Sequence, residues 1–299
     1  MLFPEFDDLV TYRHRKADLI SLSQRSVKSA VAGNHRSPFR GQGLEFDSVR
    51  EYVPGDDIRN IDWRVTARTG SPHLKLFNEE RERHRIICVD MNATMRFGTR
   101  NTFKSVQAAR AAALLGWQGL ANHDSVSGCL YGDVPGGIHL FPPARTCKSL
   151  CCLLKMLSKP PSDTHLIPLK EVTQQISQTA QTGSLIYLIS DFMDLDGVNL
   201  TRLKKRGDVV LIAVNDPADT ALCPLGMLGF RNPNAEQLFV NTDNLAGREA
   251  YATQWKENRQ RLHEITSQLK IPVIAMTTES DIRRDLILGL KMLAKRKPR

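Results

Sequence analysis

Long apolar runs are missing: nothing in the chain approaches the roughly 20 consecutive apolar residues that a membrane-spanning helix needs. The opening residues, MLFPEFDD, are acidic and lack the apolar core of a secretory signal. Neither a leader nor a membrane span is therefore expected. Cysteine is scarce, six in 299 residues, which excludes a disulfide scaffold. Cys88 and Cys129 fall in expected strands and read as small buried hydrophobes. Cys147, Cys151 and Cys152 share an expected helix, without the second ligand pair that a zinc site requires. Signature loops of several enzyme classes are absent as well. No G-x-x-x-x-G-K-[ST] occurs, so the chain is not itself a P-loop ATPase, and no G-x-G-x-x-G follows the first strand of the α/β pattern. The eight histidines are scattered with no H-E-x-x-H, and no G-x-S-x-G marks a nucleophile elbow. These absences predict a cytoplasmic protein with reduced thiols that is not an enzyme.

Positive charge is the one excess. The formal net charge is +9, and residues 291–299 alone carry five basic residues and no acid. The remainder is nearly neutral, so the body is not a phosphate-backbone binder. The tail reads as a frayed helix end, where the helix dipole favours cations. No aromatic platform interleaves with it, and nucleic acid is not an expected partner.

From about residue 85 apolar strands alternate with amphipathic helices. Strands are expected at 85–90, 125–131, 184–190, 208–214 and 272–276, with a short strand at 138–141 returning antiparallel as a hairpin. Helices are expected at 101–121, capped by Asn101 or Thr102, and at 145–158, 168–182, 197–206, 246–270 and 280–296. A further hairpin is expected across 226–240. Val106, Ala109, Ala113, Trp117 and Leu120 give the helix at 101–121 one apolar stripe. This alternation predicts a doubly wound, mostly parallel sheet with one antiparallel edge strand. Residues 1–80 differ: a helix at 14–30 precedes an irregular stretch dense in charge, glycine and aromatics. The expected division is 1–80 and 81–299.

In open α/β sheets ligands bind at the carboxyl ends of the strands. The first of these strands ends in Asp90-Met91-Asn92-Ala93-Thr94, and the strand 184–190 is followed by Asp191. Side by side, Asp90, Asn92, Thr94 and Asp191 would offer oxygens to one hard cation, with magnesium the best match for a shallow, water-rich site. Asp, Asn and Thr are equally favoured as caps and turn formers, so the spacing alone leaves both readings open. In residues 43–75, Arg50, Arg59, Arg64 and Arg68 interleave with Glu45, Asp47, Glu51, Asp56, Asp57 and Asp62, around Phe46, Tyr52 and Trp63. Arginine forks pair bidentately with carboxylates. Exposed pairs add only about 0–1 kcal/mol each, so this density predicts partial burial or an interface, and a loss of stability on substituting Trp63 or Arg59.

Arg50-Glu51-Tyr52, Gly55-Asp56-Asp57-Ile58-Arg59, Ile61-Asp62-Trp63 and Ala67-Arg68 resemble the signature of bacterial domain-of-unknown-function family fifty-eight. The resemblance is specific over residues 40–100 and extends to the rest by pattern. It implies a von Willebrand factor A-like fold with a metal-ion-dependent adhesion site. It also implies partnership with MoxR-type AAA+ ATPases in assembling or activating a protein client. Carried over, the D-x-S-x-S motif falls on Asp90, Asn92 and Thr94, followed by Met95, Phe97 and Gly98; the later acid falls on Asp191 and the remote threonine on Thr146. Asn92 and Thr94 replace serines, so magnesium is expected to bind weakly or not at all. Arg50, Arg59, Asp62, Trp63, Arg64 and Arg68 become the expected partner-binding residues. Members of the family often carry N-terminal membrane helices; this chain shows none in its sequence. The competing reading is a haloacid-dehalogenase-type magnesium phosphatase with Asp90 as nucleophile. It lacks the acid two residues on, where Asn92 stands and cannot act as a general acid.

Overall fold

The computed structural model describes residues 3–14, 44–79, 83–159, 166–231 and 237–295. The helix expected at 14–30 lies largely outside these residues, as does the end of the basic tail, 296–299. In chain order the elements are α1 (Phe6–Thr11), β1 (Leu44–Glu51), α2 (Trp63–Thr69), β2 (His73–Glu79), β3 (His84–Met91), α3 (Lys104–Ala121), β4 (Ser125–Gly132), β5 (Ile138–Ala144), α4 (Cys147–Leu157), α5 (Leu169–Thr179), β6 (Ser184–Ser190), α6 (Leu200–Arg206), β7 (Gly207–Asn215), α7 (Pro217–Thr220), β8 (Met227–Arg231), β9 (Gln237–Asn241), α8 (Leu245–Gln268), β10 (Val273–Thr277) and α9 (Ile282–Lys295). They fall into two compact units: residues 44–79 form one, and residues 3–14 with 83–295 form the other. The sequence placed the division at residue 80. The structure instead groups α1 with the α/β unit, because Trp117 Nε1 donates to the Leu9 carbonyl at 3.1 Å and Arg110 pairs with Asp8 at 2.8 Å.

The α/β unit is built on a six-stranded sheet in the order β10-β7-β6-β3-β4-β5. All neighbours are parallel except the edge strand β5, which pairs antiparallel with β4. This is the doubly wound sheet with one antiparallel edge that the alternating pattern predicts. Successive strand residues enter opposite layers. Ile87 and Val89 of β3 and Ile212 and Val214 of β7 join the core under α1, α3, α4 and α9. Ile86, Cys88, Leu211 and Ala213 join the core under α5, α6 and α8. Helix α3 exceeds its expected stripe: Ala108, Ala111, Ala112, Leu114 and Leu115 are fully buried too. Helices α1, α4 and α9 cover its outer side, so the small alanines serve close approach. Its expected cap is also different. Thr102 Oγ1 donates to the Thr278 carbonyl at 3.1 Å, and the N-cap is Phe103, without a side-chain bond.

The second unit is not irregular. Strands β1 and β2 pair antiparallel, with a 3-10 turn at Ile58–Asn60 and helix α2 in the connection. A register shift between Phe46 and Ser48 breaks the period of two, which is why the alternation is hidden in the sequence. The β8–β9 hairpin forms a small sheet of its own.

Leu114 is fully buried between the sheet and the outer helices. Leu114→Ala should lower unfolding free energy by about 2–5 kcal/mol in denaturant melts, the range for cavity-forming substitutions.

Candidate functional site

Strand order places β3 beside β6, the point where the direction of winding reverses, so their carboxyl ends border the crevice in which such sheets bind ligands. Asp90 and Asp191 meet there as expected, at 4% and 3% exposure. Asp90 Oδ1 accepts the Asn92 amide at 2.9 Å and its Oδ2 accepts the Ser190 hydroxyl at 2.6 Å. Burial pushes the Asp90 carboxyl up to about 7; the nearby Asp191 charge adds to this, and the bonds from Ser190 and Asn92 only partly oppose it. Tyr131, the neighbour of Asp90 across the β3–β4 ladder, is held well above the ordinary tyrosine range by burial and then by the Asp90 charge.

Asn92 is buried but turned away from any ligand. Its Oδ1 accepts the Ile167 amide at 3.0 Å and its Nδ2 donates to the Ile167 carbonyl at 3.1 Å. This clamps the chain entering α5 to the end of β3. The close approach requires Gly132, at φ +101, where a Cβ would stand 2.5 Å from the Asn92 amide nitrogen.

The centre of the cluster is a residue that the sequence reading passed over. Lys104, the first residue of α3, is 2% exposed. Its ammonium donates to Asp191 Oδ2 at 2.8 Å and lies 3.3 Å from Asp219 Oδ2. Burial alone would lower its pKa, but the Asp191 and Asp219 carboxylates outweigh that and hold it above the ordinary lysine value. Asp219 in turn accepts the Asp216 backbone amide at 2.7 Å. Asp216 receives Thr99 Oγ1 and Thr278 Oγ1, both at 2.6 Å, and these bonds draw its pKa down although burial opposes them. Arg259, reaching in from α8, donates to the Asp191 carbonyl. A signal for this network existed. A lysine at the positive end of a helix dipole is disfavoured, which marks Lys104 as unusual, while its burial among carboxylates follows only from the packing.

Two expected ligands are not in the cluster. Thr94 is exposed. Thr146 lies at the opposite end of the sheet: β5 runs antiparallel, so its last residue Ala144 pairs with Val126 at the start of β4 while Asp90 pairs with Tyr131 near its end. There Thr146 caps α4 by accepting the Ser149 amide. The remaining donors do not fit a divalent cation. Both Asp90 oxygens and the whole Asn92 amide are committed to protein partners, and Asp191 is committed to an ammonium and to the Met193 amide.

The expected partner residues, in the other unit, divide in two. Arg50 pairs with Asp56 at 2.7 Å, and Asp62 caps α2 by accepting the Arg64 and Val65 amides. These two hold the unit's own fold. Trp63 does not: it is 68% exposed, which corrects the expectation of partial burial. Arg59, Arg64 and Arg68 are exposed as well.

A family profile described as "Protein of unknown function DUF58" matches residues 48–261, well over half of the chain. Uncharacterized proteins of Mycobacterium tuberculosis and Mycobacterium bovis are 26% identical over 271 residues, covering 88% of this chain and 84% of theirs. Among solved structures, that of a conserved hypothetical protein, BatB from Bacteroides thetaiotaomicron, matches with a TM-score of 0.46 and 14% identity, covering 71% of this chain and 99% of that one.

Lys104→Met leaves two buried carboxylates unpaired and should cost about 3–5 kcal/mol of stability, read by chemical denaturation. Asp90 adds a pH dependence. Its folded pKa of about 7 lies above that of an unfolded aspartate, so the folded state keeps a proton that the unfolded chain releases. Stability is then full at about pH 4 and declines as pH rises toward neutrality. Asp90→Asn removes that decline. Its melting temperature relative to the parent should rise between about pH 4 and pH 8; a constant difference would refute the assignment.

Proposed function

The chain belongs to the family of proteins of unknown function DUF58, and on that premise we propose that it is a cytoplasmic protein-interaction adaptor. Its partner is a MoxR-type AAA+ ATPase, as the family signature implies, and it acts in assembly or activation of a further protein. The observation that carries this reading is the surface of the small unit. Within residues 53–64, Val53, Ile58 and Trp63 are 56%, 62% and 68% exposed, and they alternate with exposed Arg59 and Arg64. Tryptophan and arginine dominate the energetics of protein interfaces, and a stable fold has no use for an uncovered indole. The two groups that the sequence also assigned to docking, Arg50 and Asp62, act one step back, bracing the loop and the helix that present the others.

The phosphatase alternative finds no support. A nucleophilic Asp90 would need an open face toward phosphate, but both of its oxygens accept bonds within the fold and it is 4% exposed. Asn92, in the place of the general acid, is spent on the Ile167 backbone.

The test is biolayer interferometry between the full chain and the purified MoxR-type ATPase of the same organism. Trp63→Ala and Arg64→Ala should each weaken binding tenfold or more, about 1.4 kcal/mol, with no fall in melting temperature. Affinity unchanged in both variants would exclude this surface, and no binding by the parent would exclude the partner.

A further inference from the structure

The family resemblance implies a divalent ion at the carboxyl ends of β3 and β6, yet the charge that stands there is one of the chain's own side chains. We propose that the Lys104 ammonium is the permanent cation of this cluster, occupying Asp191, the acid that a divalent ion would have to share with Asp90, and making the site independent of metal.

The argument begins with the cost of putting a lysine there. Lys104 is 2% exposed, at the helix end whose dipole repels positive charge. Such a group survives burial only when carboxylates enclose it. Asp191 and Asp219 do so from two different strand ends, at 2.8 and 3.3 Å. The Phe97 ring faces the same ammonium, 5.7 Å from nitrogen to centroid, which is cation–π distance. Asp191 is the acid that a bound metal would need most, and it is the one the ammonium holds.

A second cation would therefore have to share Asp191 with Lys104. It would also meet Arg259, whose guanidinium is anchored on the Asp191 carbonyl and 3.4 Å from the Met193 sulfur. Hard dications require several free oxygen ligands. Here the amide of Asn92 is locked to Ile167, and Thr94 is exposed where Asp90 and Asp191 are buried. The internal cation also does what a structural metal does. It ties the end of β6 to α3 and, through Asp219 and Asp216, to Thr99 and Thr278. The inference concerns the chain alone and does not depend on the identity of its partner.

The experiment is titration of the full chain with Mn2+, followed by calorimetry and by the melting temperature, with Mg2+ and chelator as parallel arms. The parent should show no saturable binding up to millimolar Mn2+ and the same melting temperature with Mg2+ or chelator. Saturable Mn2+ binding that Asp191→Asn abolishes would overturn the proposal. In Lys104→Met the vacated carboxylates should accept Mn2+, seen as a rise in melting temperature that the added Asp191→Asn removes. A Lys104→Met protein as stable as the parent would also overturn it. The parent titration decides the question even where Lys104→Met does not accumulate as folded protein. Capture of the AAA+ partner, measured separately, tests the adaptor reading and leaves the metal result standing.

Discussion

A single ammonium group organises the carboxyl end of the six-stranded sheet. Removing Lys104 from water costs several kcal/mol, and the positive end of α3 adds to that cost. Against it stand charge-assisted bonds worth about 1.5–3 kcal/mol each, made to Asp191 and Asp219. The balance closes only if both acids are already in position, which makes the ion cluster a condition on the whole sheet. β6 must end just before Asp191, α7 must turn so that Asp219 faces inward, and α3 must start at the right height. Reciprocal bonds between Asp216 and Asp219 at the start of α7 meet the second of these conditions.

Asp90 is treated differently by the same environment. It has no cation of its own, so burial and the Asp191 charge raise its pKa to about 7 rather than pairing it. One acid is paired with the Lys104 ammonium and its neighbour is not. The difference arises from position: the register sets Val89 beside Ile189, so Asp191 stands one residue further along than Asp90, where the start of α3 reaches it. A fold that offers two acids to a ligand has here satisfied one by salt bridge and the other largely by hydroxyl and amide donors.

The sheet was legible in the sequence because its strands are buried on both faces and so read as short apolar runs, SLIYLIS being the clearest. The meeting of Asp90 with Asp191 was legible for the same reason: parallel order fixes which strand ends adjoin. The β1–β2 pair was not legible, because its bulge interrupts the alternation. Thr146 was misplaced although the antiparallel return of β5 was expected, because that return carries the chain back to the start of β4 and delivers α4 to the other end of the sheet. Lys104 was missed because a charged residue at a helix start looks solvent-facing until tertiary packing is known. Motif reading finds the acids that could hold a cation; only the packing shows that Lys104 lies against one of them.

The two compact units differ in how they dispose their polar and apolar groups. At the strand ends of the larger unit the charged groups Lys104, Asp191, Asp219 and Asp216 are tied to one another, and a connected network of this kind favours rigidity over ligand exchange. The smaller unit does the reverse. It uses Arg50–Asp56 and the Asp62 cap to hold a short turn and helix in shape, and spends its largest aromatic, Trp63, on solvent. Uncovered apolar surface is costly in a monomer and useful in a complex. The segment that matches the family, residues 48–261, includes the exposed turn and helix of this unit as well as most of the larger one.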